Sequence, residues 1–321
     1  MLIYILFVIG IFLLLKGAGV LVDGSAALAK KIGVPTLAIG LTVVAFGTSL
    51  PELIVNLTAS FKENGDIAFG NIVGSNIANV LLILGITAII KSLKIQHSTV
   101  WKEIPFSLLA VIVLFIFTNI SFLDNLNFTY IYRFEGLVLI LFFVIFLYYI
   151  FELSRRDKSL ISDEIKTEES IGLLKSIGLI TIGFIALYFG GKFTVDGAIK
   201  IARIVGMSEY FISLTIISIG TSLPELITSI QATLKNKIDI AVGNIIGSNI
   251  FNIFWVIGIS SVIRPIKIPN SVNFDLIFLL FLTLLFFIFM FIGKKHQLKR
   301  WQGAIFFIMY LFYLGFLYYR G

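Results

Sequence analysis

Gly47-Thr48-Ser49-Leu50-Pro51-Glu52-Leu53-Ile54 recurs, residue for residue, as Gly220-Thr221-Ser222-Leu223-Pro224-Glu225-Leu226-Ile227. Downstream, the stretch from Gly70 to Asn79 recurs as Gly243 to Asn252 with changes only at Val73 and Ala78. Every pair is offset by 173 residues, and 21 of the 33 positions from Gly47 to Asn79 are identical in the second copy. A single offset over that length marks an internal duplication. Each copy sets a glutamate directly after a proline inside an apolar stretch, where a carboxylate is costly and is a functional candidate by default. Two such carboxylates in matched positions predict one shared cation site.

Composition supplies the class. The chain has 321 residues, 58% of them hydrophobic and 13% charged, with a mean hydropathy of +1.03. That is too apolar for a water-soluble domain of this length, and an integral membrane protein is expected. The net charge of +7 does not indicate nucleic acid, because the basic residues sit in short links and form no dense block. With no cysteine there is no disulfide framework and no thiolate metal site. His97 and His296 both fall in links, which argues against a histidine-built zinc or haem centre.

Ten apolar runs are long enough to span a bilayer. They lie near 2–22, 36–60, 67–90, 101–120, 134–153, 172–192, 209–233, 240–262, 272–292 and 301–319. The first resembles a signal peptide but lacks a basic leader. Val22-Asp23-Gly24 returns as Val195-Asp196-Gly197, so this run is read as the first helix of a repeat. The predicted fold class is therefore an all-α membrane protein of ten transmembrane helices, arranged as two inverted five-helix repeats. Residues 1–153 form the first repeat and 172–321 the second, joined by a polar tether at 154–171. Aromatic runs such as Phe142-Phe143 and Phe286-Phe287 read as lipid-facing bulk.

Alternate links differ in charge. Links one, three, five, seven and nine carry 16 lysines and arginines and the others carry 8, with Lys16 left inside the first span. The positive-inside bias puts both termini outside the cytoplasm of a multi-pass protein in the cell membrane. Five spans per half insert the second half upside down, the plan of secondary transporters that hold substrate at the midplane between halves.

The chemistry follows from the repeated residues. Pro51 cannot donate to the Gly47 carbonyl, so the helix is expected to loosen over Ala45 to Thr48 and free carbonyl oxygens. Thr48 and Glu52 are four apart and are expected on one face. Thr221, Ser222 and Glu225 repeat the arrangement around Pro224. The next span adds Ser75 and Asn79, and its twin adds Ser248 and Asn252. Carbonyl, hydroxyl, amide and carboxylate oxygens suit hard cations such as calcium and sodium.

Plainer roles compete for some of these residues. Ser75, Asn79, Ser248 and Asn252, taken singly, are as readily packing residues as ligands. Asn71 and Asn244 read as helix caps, and Asn76 and Asn249 as glue between helices. Gly70, Gly74, Gly243 and Gly247 form small-xxx-small pairs that let helices approach closely. Asp23 and Asp196 read as solvated or capping residues at helix ends. For Glu52 and Glu225 the plain reading is weak, because a charge at the helix centre costs roughly 2.5–3.5 kcal/mol on insertion scales.

The doubled Gly-Thr-Ser-Leu-Pro-Glu and Gly-Asn-Ile-x-Gly-Ser-Asn-Ile-x-Asn segments resemble the two alpha-repeats of the calcium/cation antiporter superfamily, in its sodium/calcium exchanger branch. Ten spans in two inverted halves fit that resemblance along the whole chain. It implies that Thr48, Glu52, Thr221 and Glu225 coordinate calcium, the threonines through backbone oxygens. It implies that Ser49, Ser75, Asn79, Ser222, Ser248 and Asn252, with the carbonyls of Ala45 and Ser218, complete sodium sites. Asn252 stands where potassium-dependent members carry aspartate, which argues against potassium co-transport. The short tether departs from animal exchangers, whose large cytoplasmic loop holds regulatory calcium-binding domains.

The resemblance implies a secondary antiporter, not an enzyme, exporting calcium on the sodium gradient by alternating access. It implies no ATP, no nucleic acid and no cofactor; sodium and calcium are the substrates and the bilayer is the partner. The first and sixth spans would slide across a core made by the rest, with Lys16 snorkelling to the surface. A monomer is one admissible assembly, and oligomeric state is left open. Two alternatives stay open: an antiporter exchanging protons for calcium or another divalent cation, and more remotely a cation channel.

Overall fold

The computed structural model describes residues 2–124, 130–156, 172–206, 218–269 and 272–320. Among the described residues the chain is all-helical apart from four two-residue strands. Among the described residues eight helices are long and apolar enough to cross a membrane. Thr36–Thr48 and Leu50–Phe61 make a further span bent by 45°. The expected span at 209–233 is described only from Ser218 onward, and the 154–171 tether falls outside the described residues from 157 on.

In chain order the helices are α1 (Leu2–Ile32), α2 (Thr36–Thr48), α3 (Leu50–Phe61), α4 (Gly65–Ile90), α5 (Ile104–Asp124), α6 (Arg133–Arg156) and α7 (Leu173–Ile204). They continue with α8 (Ser218–Thr221), α9 (Leu223–Leu234), α10 (Ile238–Ile263), α11 (Val272–Phe289) and α12 (Arg300–Arg320).

α4 and α10 form the centre: 83% of the apolar window of each is buried, against 22–44% for the other spanning helices. Gly243 and Gly247 explain how α10 reaches α2. A Cβ at Gly243 would sit 2.9 Å from the Leu37 carbonyl oxygen, and one at Gly247 would sit 2.7 Å from Ala45 Cβ. Gly70 has no such neighbour among the described residues.

α1 outlasts its expected end at 22 by ten residues. The extension is alanine-rich, a strong helix former, and ends at Gly33, whose φ of +68° closes the helix. α7 ends in the same way before Gly206 at φ +84°. α1 and α7 pack antiparallel through glycines spaced by seven. Gly10 meets Thr194 and Gly190, Gly17 meets Ala186 and Gly183, and Gly24 meets Leu179 and Ile180. Asp23 therefore lies inside α1, not at its end.

The phenylalanine runs are not lipid-facing bulk. Phe143 and Phe286 are buried. Phe143 meets Phe251 edge-on at 4.7 Å, Phe142 stacks on Phe254 at 5.3 Å, and Phe286 meets Phe306 at 6.5 Å. Packing between helices claims these rings because each covers large apolar area and pairs by geometry.

Short strands tie the links. β1 (Leu93–Lys94) pairs antiparallel with β4 (Gln297–Leu298), and β2 (Tyr130–Ile131) with β3 (Ile266–Lys267). β1 and β2 lie at opposite ends of α5, whose 21 residues span roughly 30 Å. Lys91 bonds Asn236 at the β1 end, while Arg264 holds the Phe61 carbonyl and Glu63 at the other. Links three, seven and nine thus share one end of the molecule, and links two, four and eight share the other.

Candidate functional site

The two repeated prolines open helices; they do not kink them. Helical geometry persists through Ala45–Thr48, with the Ser49 amide still bonded to the Ala45 carbonyl at 3.0 Å. The break falls one residue later than expected, at Ser49 (φ −83°, ψ 4°), and at Ser222 (φ −88°, ψ 4°) in the second copy. Pro51 and Pro224 occupy the first turn of the new helices α3 and α9, where a missing N–H removes no intrahelical bond. Glu52 and Glu225 then stand in that first turn, at the positive end of a helix.

Ser49-x-x-Glu52 has the spacing of a capping box, a signal the sequence carries and the sequence reading missed. The serine does not cap its own helix. Its hydroxyl donates instead to Glu225 Oε1 at 3.4 Å, across the two repeats. Ser75 donates to Glu52 Oε1 at 3.3 Å, and Ser222 donates to Ser75 at 3.1 Å. Thr221 also faces the Glu52 carboxylate, and Thr48 faces Glu225. Thr48 also bonds across the two repeats. Its hydroxyl donates to Asn244 Oδ1 at 3.0 Å and lies 3.4 Å from Ser248 Oγ.

Glu225 is therefore faced by two hydroxyls from the other half, and Glu52 by Thr221 from the other half and Ser75 from its own, while the charge of one glutamate acts on the other. Glu52, Glu225, Thr48, Ser49, Ser75, Ser222, Ser248, Asn79, Asn252 and Ala45 are all buried; Thr221 is half-buried. Ser218 opens α8, on the chain just before the second break.

Asn71 and Asn244 lie well inside α4 and α10 and are not caps. Their amides donate to the backbone carbonyls of Glu52 at 3.1 Å and Glu225 at 3.3 Å. Asn64 is the cap of α4, accepting from the Ile67 amide at 3.0 Å. Asn76 and Asn249 do bridge the halves, with Asn76 donating to the Asn249 carbonyl at 3.2 Å. They also orient their neighbours: Asn79 donates to Asn249 Oδ1 at 2.9 Å, and Asn252 donates to Asn76 Oδ1 at 3.0 Å.

With their N–H groups so engaged, Asn79 and Asn252 are left with unpartnered buried Oδ1 atoms. Glu52 Oε2 and Glu225 Oε2 are unpartnered as well. Buried acceptors without donors are costly. All four are oxygen acceptors in matched positions of the two repeats, the atom type that a hard cation takes as ligand.

Helix α4 widens to π geometry over Asn79–Ile83, and α10 over Phe251–Ile257. The amide ligand candidate of each repeat thus stands at or within a π segment, a distortion common at functional sites.

The family model described as sodium/calcium exchanger protein matches residues 2–152 and 175–319. The chain belongs to the sodium/calcium exchanger family. It is 36% identical over 288 residues to inner membrane protein YrbG of Escherichia coli, covering 88% of this chain and 86% of that one. It is 31% identical to sodium/calcium exchanger MaX1 of Methanosarcina acetivorans, over 98% of both chains. Putative antiporter CaxA of Alkalimonas amylolytica is 34% identical over 95% of both. Solved structures of the sodium-calcium exchanger NCX_Mj superpose with a TM-score of 0.83 at 31% identity, covering 98% of each chain. As a member of this family the protein is a multi-pass membrane antiporter and not an enzyme.

Proposed function

We propose that this exchanger-family protein carries out sodium/calcium antiport at a single midplane site built from both repeats, and exports calcium electrogenically. The observation that carries this reading is the burial of Glu52 and Glu225 together, with their Oε2 atoms and the Oδ1 atoms of Asn79 and Asn252 unpartnered. Glu52 and Glu225, with Thr48 and Thr221, hold calcium; two carboxylates balance its charge. Sodium ions use the same glutamates and threonines, with Ser49, Ser75, Asn79, Ser222, Ser248 and Asn252 and the carbonyls of Ala45 and Ser218. Three sodium ions against one calcium would leave one net positive charge, which makes exchange electrogenic.

The repeats, 1–153 and 172–321, are inverted and hold ten spans in all. Support comes from the strands: β1 and β3 are equivalent by the 173-residue offset, yet they pair at opposite ends of α5. The end gathering links three, seven and nine is the more basic and faces the cytoplasm of the cell membrane. Both termini then lie outside. Every proposed ligand comes from one chain, so a monomer suffices.

Neutral hydroxyl and amide oxygens around the carboxylates favour sodium over protons as counter-ion, since a proton needs no such cage. Calcium uptake into proteoliposomes driven by an outward sodium gradient, compared with a pH gradient alone, tests the reading. Uptake driven by sodium and lost in Glu52→Gln and Glu225→Gln supports it. Uptake driven by the pH gradient alone assigns a proton/calcium antiporter, and flux indifferent to either gradient assigns a channel.

A further inference from the structure

Lys235, at the end of α9, reaches across to α1. Its Nζ lies 2.6 Å from Asp23 Oδ2 and donates to the Gly19 carbonyl at 2.8 Å. Both partners have counterparts at the 173-residue offset: Asp23 matches Asp196 on α7, and Lys235 matches Lys62 after α3. Asp196 and Lys62 are both exposed, and among the described residues they form no ion pair with each other.

The helices around them differ in the same sense. α1 packs along α9, whereas α7 makes no comparable packing along α3. Ile227 on α9 joins the apolar cluster around α1, while its counterpart Ile54 on α3 is 48% exposed. An internal control shows that asymmetry is not general. Arg264 binds Glu63, and its counterpart Lys91 binds Asn236, the counterpart of Glu63; both clamps are closed at once.

The geometry points to Asp23–Lys235 and Asp196–Lys62 as alternating latches that hold the α1–α7 pair against one half of the core or the other. One is closed in this state, and the other closes in the oppositely open state. This rests on the antiport reading, because only a carrier that opens to one side at a time needs two exclusive latches. The closed pair is itself 32% and 53% exposed, the weak kind of contact that can form and break within a transport cycle.

The latches are unequal. Asp196 has Lys192 and Lys200 four residues to either side on its own helix, where Asp23 has Gly19 and Ala27. Asp196 is thus partly balanced without Lys62, which biases the resting protein toward the Asp23–Lys235 closure. Asp23, Lys235, Asp196 and Lys62 are positioning residues: they touch no proposed ion ligand and act through α1 and α7.

The chain has no cysteine, so cysteine pairs can be linked cleanly in the full-length protein in proteoliposomes with a short bis-methanethiosulfonate reagent. Asp23→Cys with Lys235→Cys, and Asp196→Cys with Lys62→Cys, should each link and arrest calcium uptake until a thiol reductant restores it. With all four cysteines, the two links should not occur in the same molecule. Lys235→Ala should raise the yield of the 62–196 link about two- to fivefold. The swap Asp23→Lys with Lys235→Asp should return it toward the starting yield. A link between Glu63→Cys and Arg264→Cys should leave uptake intact.

Both links in one molecule, full uptake with the 23–235 link in place, or no 62–196 link under any sodium or calcium condition would overturn the proposal. Exclusive links in a protein without sodium-coupled flux would retain the latches and remove the ion assignment. Sodium-coupled flux with non-exclusive links would do the reverse.

Discussion

The Ser49 hydroxyl donates to the carboxylate of Glu225, 176 positions away, at 3.4 Å. A residue placed to cap its own helix has been turned toward the acid of the other repeat. The two halves are thereby joined at a carboxylate.

Ser49→Ala should weaken calcium binding without unfolding the protein. Loss of one long charge-assisted bond is worth about 1 kcal/mol, so roughly a fivefold rise in the calcium concentration for half-maximal uptake is expected. An unchanged half-maximal concentration would show that the Ser49–Glu225 contact does not bear on binding.

Asn76 and Asn249 offer a second test, because each fixes a neighbour's amide. Asn76 Oδ1 accepts from Asn252 and Asn249 Oδ1 accepts from Asn79. In Asn76→Leu the Asn252 amide loses its acceptor and can turn its N–H groups inward, where a cation meets repulsion. Sodium activation of uptake should fall about tenfold, while the same change at the exposed Ile54 has no such effect. Equal sodium curves for Asn76→Leu and the unaltered protein would refute the orienting role.

What the sequence disclosed and withheld follows from scale. Pairing of Glu52 with Glu225 was readable, since a carboxylate in an apolar run is too costly to be idle and its duplication names its partner. Pro51, read as an interruption of one helix, puts the break at Ala45 to Thr48. Read as the second residue of a new helix, the same proline puts the break at Ser49. The roles of Asn71 and Asn244 depend on where α4 and α10 begin, and short polar links such as Lys62 to Asn64 blur those starts. The π segments at Asn79 and around Asn252 were unreadable, because widening a turn requires no special residue. The fate of Phe143 and Phe286 turned on which helices are neighbours, and hydropathy does not encode neighbours.

The glycine contact between α1 and α7 should tolerate no large side chain. A Cβ at Gly17 would lie 2.7 Å from Ala186 Cβ and 3.2 Å from the Gly183 carbonyl oxygen. Gly17→Leu must push the helices apart at a buried turn, a cost of about 1–3 kcal/mol. The midpoint of thermal unfolding in detergent should fall, and exchange should slow as the pair loses rigidity. Gly178→Leu, on the same α7 but with nothing within 4 Å of its Cβ, should change neither.

His296 ties the end of the molecule that carries links three, seven and nine. Its carbonyl accepts from the Ile95 amide at 2.9 Å, its own amide bonds the Met290 carbonyl at 2.9 Å, and its ring meets that of His97 at 5.1 Å. Burial of the ring edge, then the nearby His97 and Lys295, lowers its pKa below the ordinary 6.5. The folded state thus favours the neutral ring, whereas the unfolded chain takes up a proton near about 6.5. Whatever stability this contributes is complete above that pH and is lost as pH falls toward the lower folded value. Amide exchange at Ile95, expressed as a protection factor, should therefore drop on acidification before that of the α4 core does. Asparagine tolerates the positive φ of 55° at this position and does not titrate, so His296→Asn should remove the drop. A protection factor with the same pH dependence in both proteins would place the acid-sensitive group elsewhere.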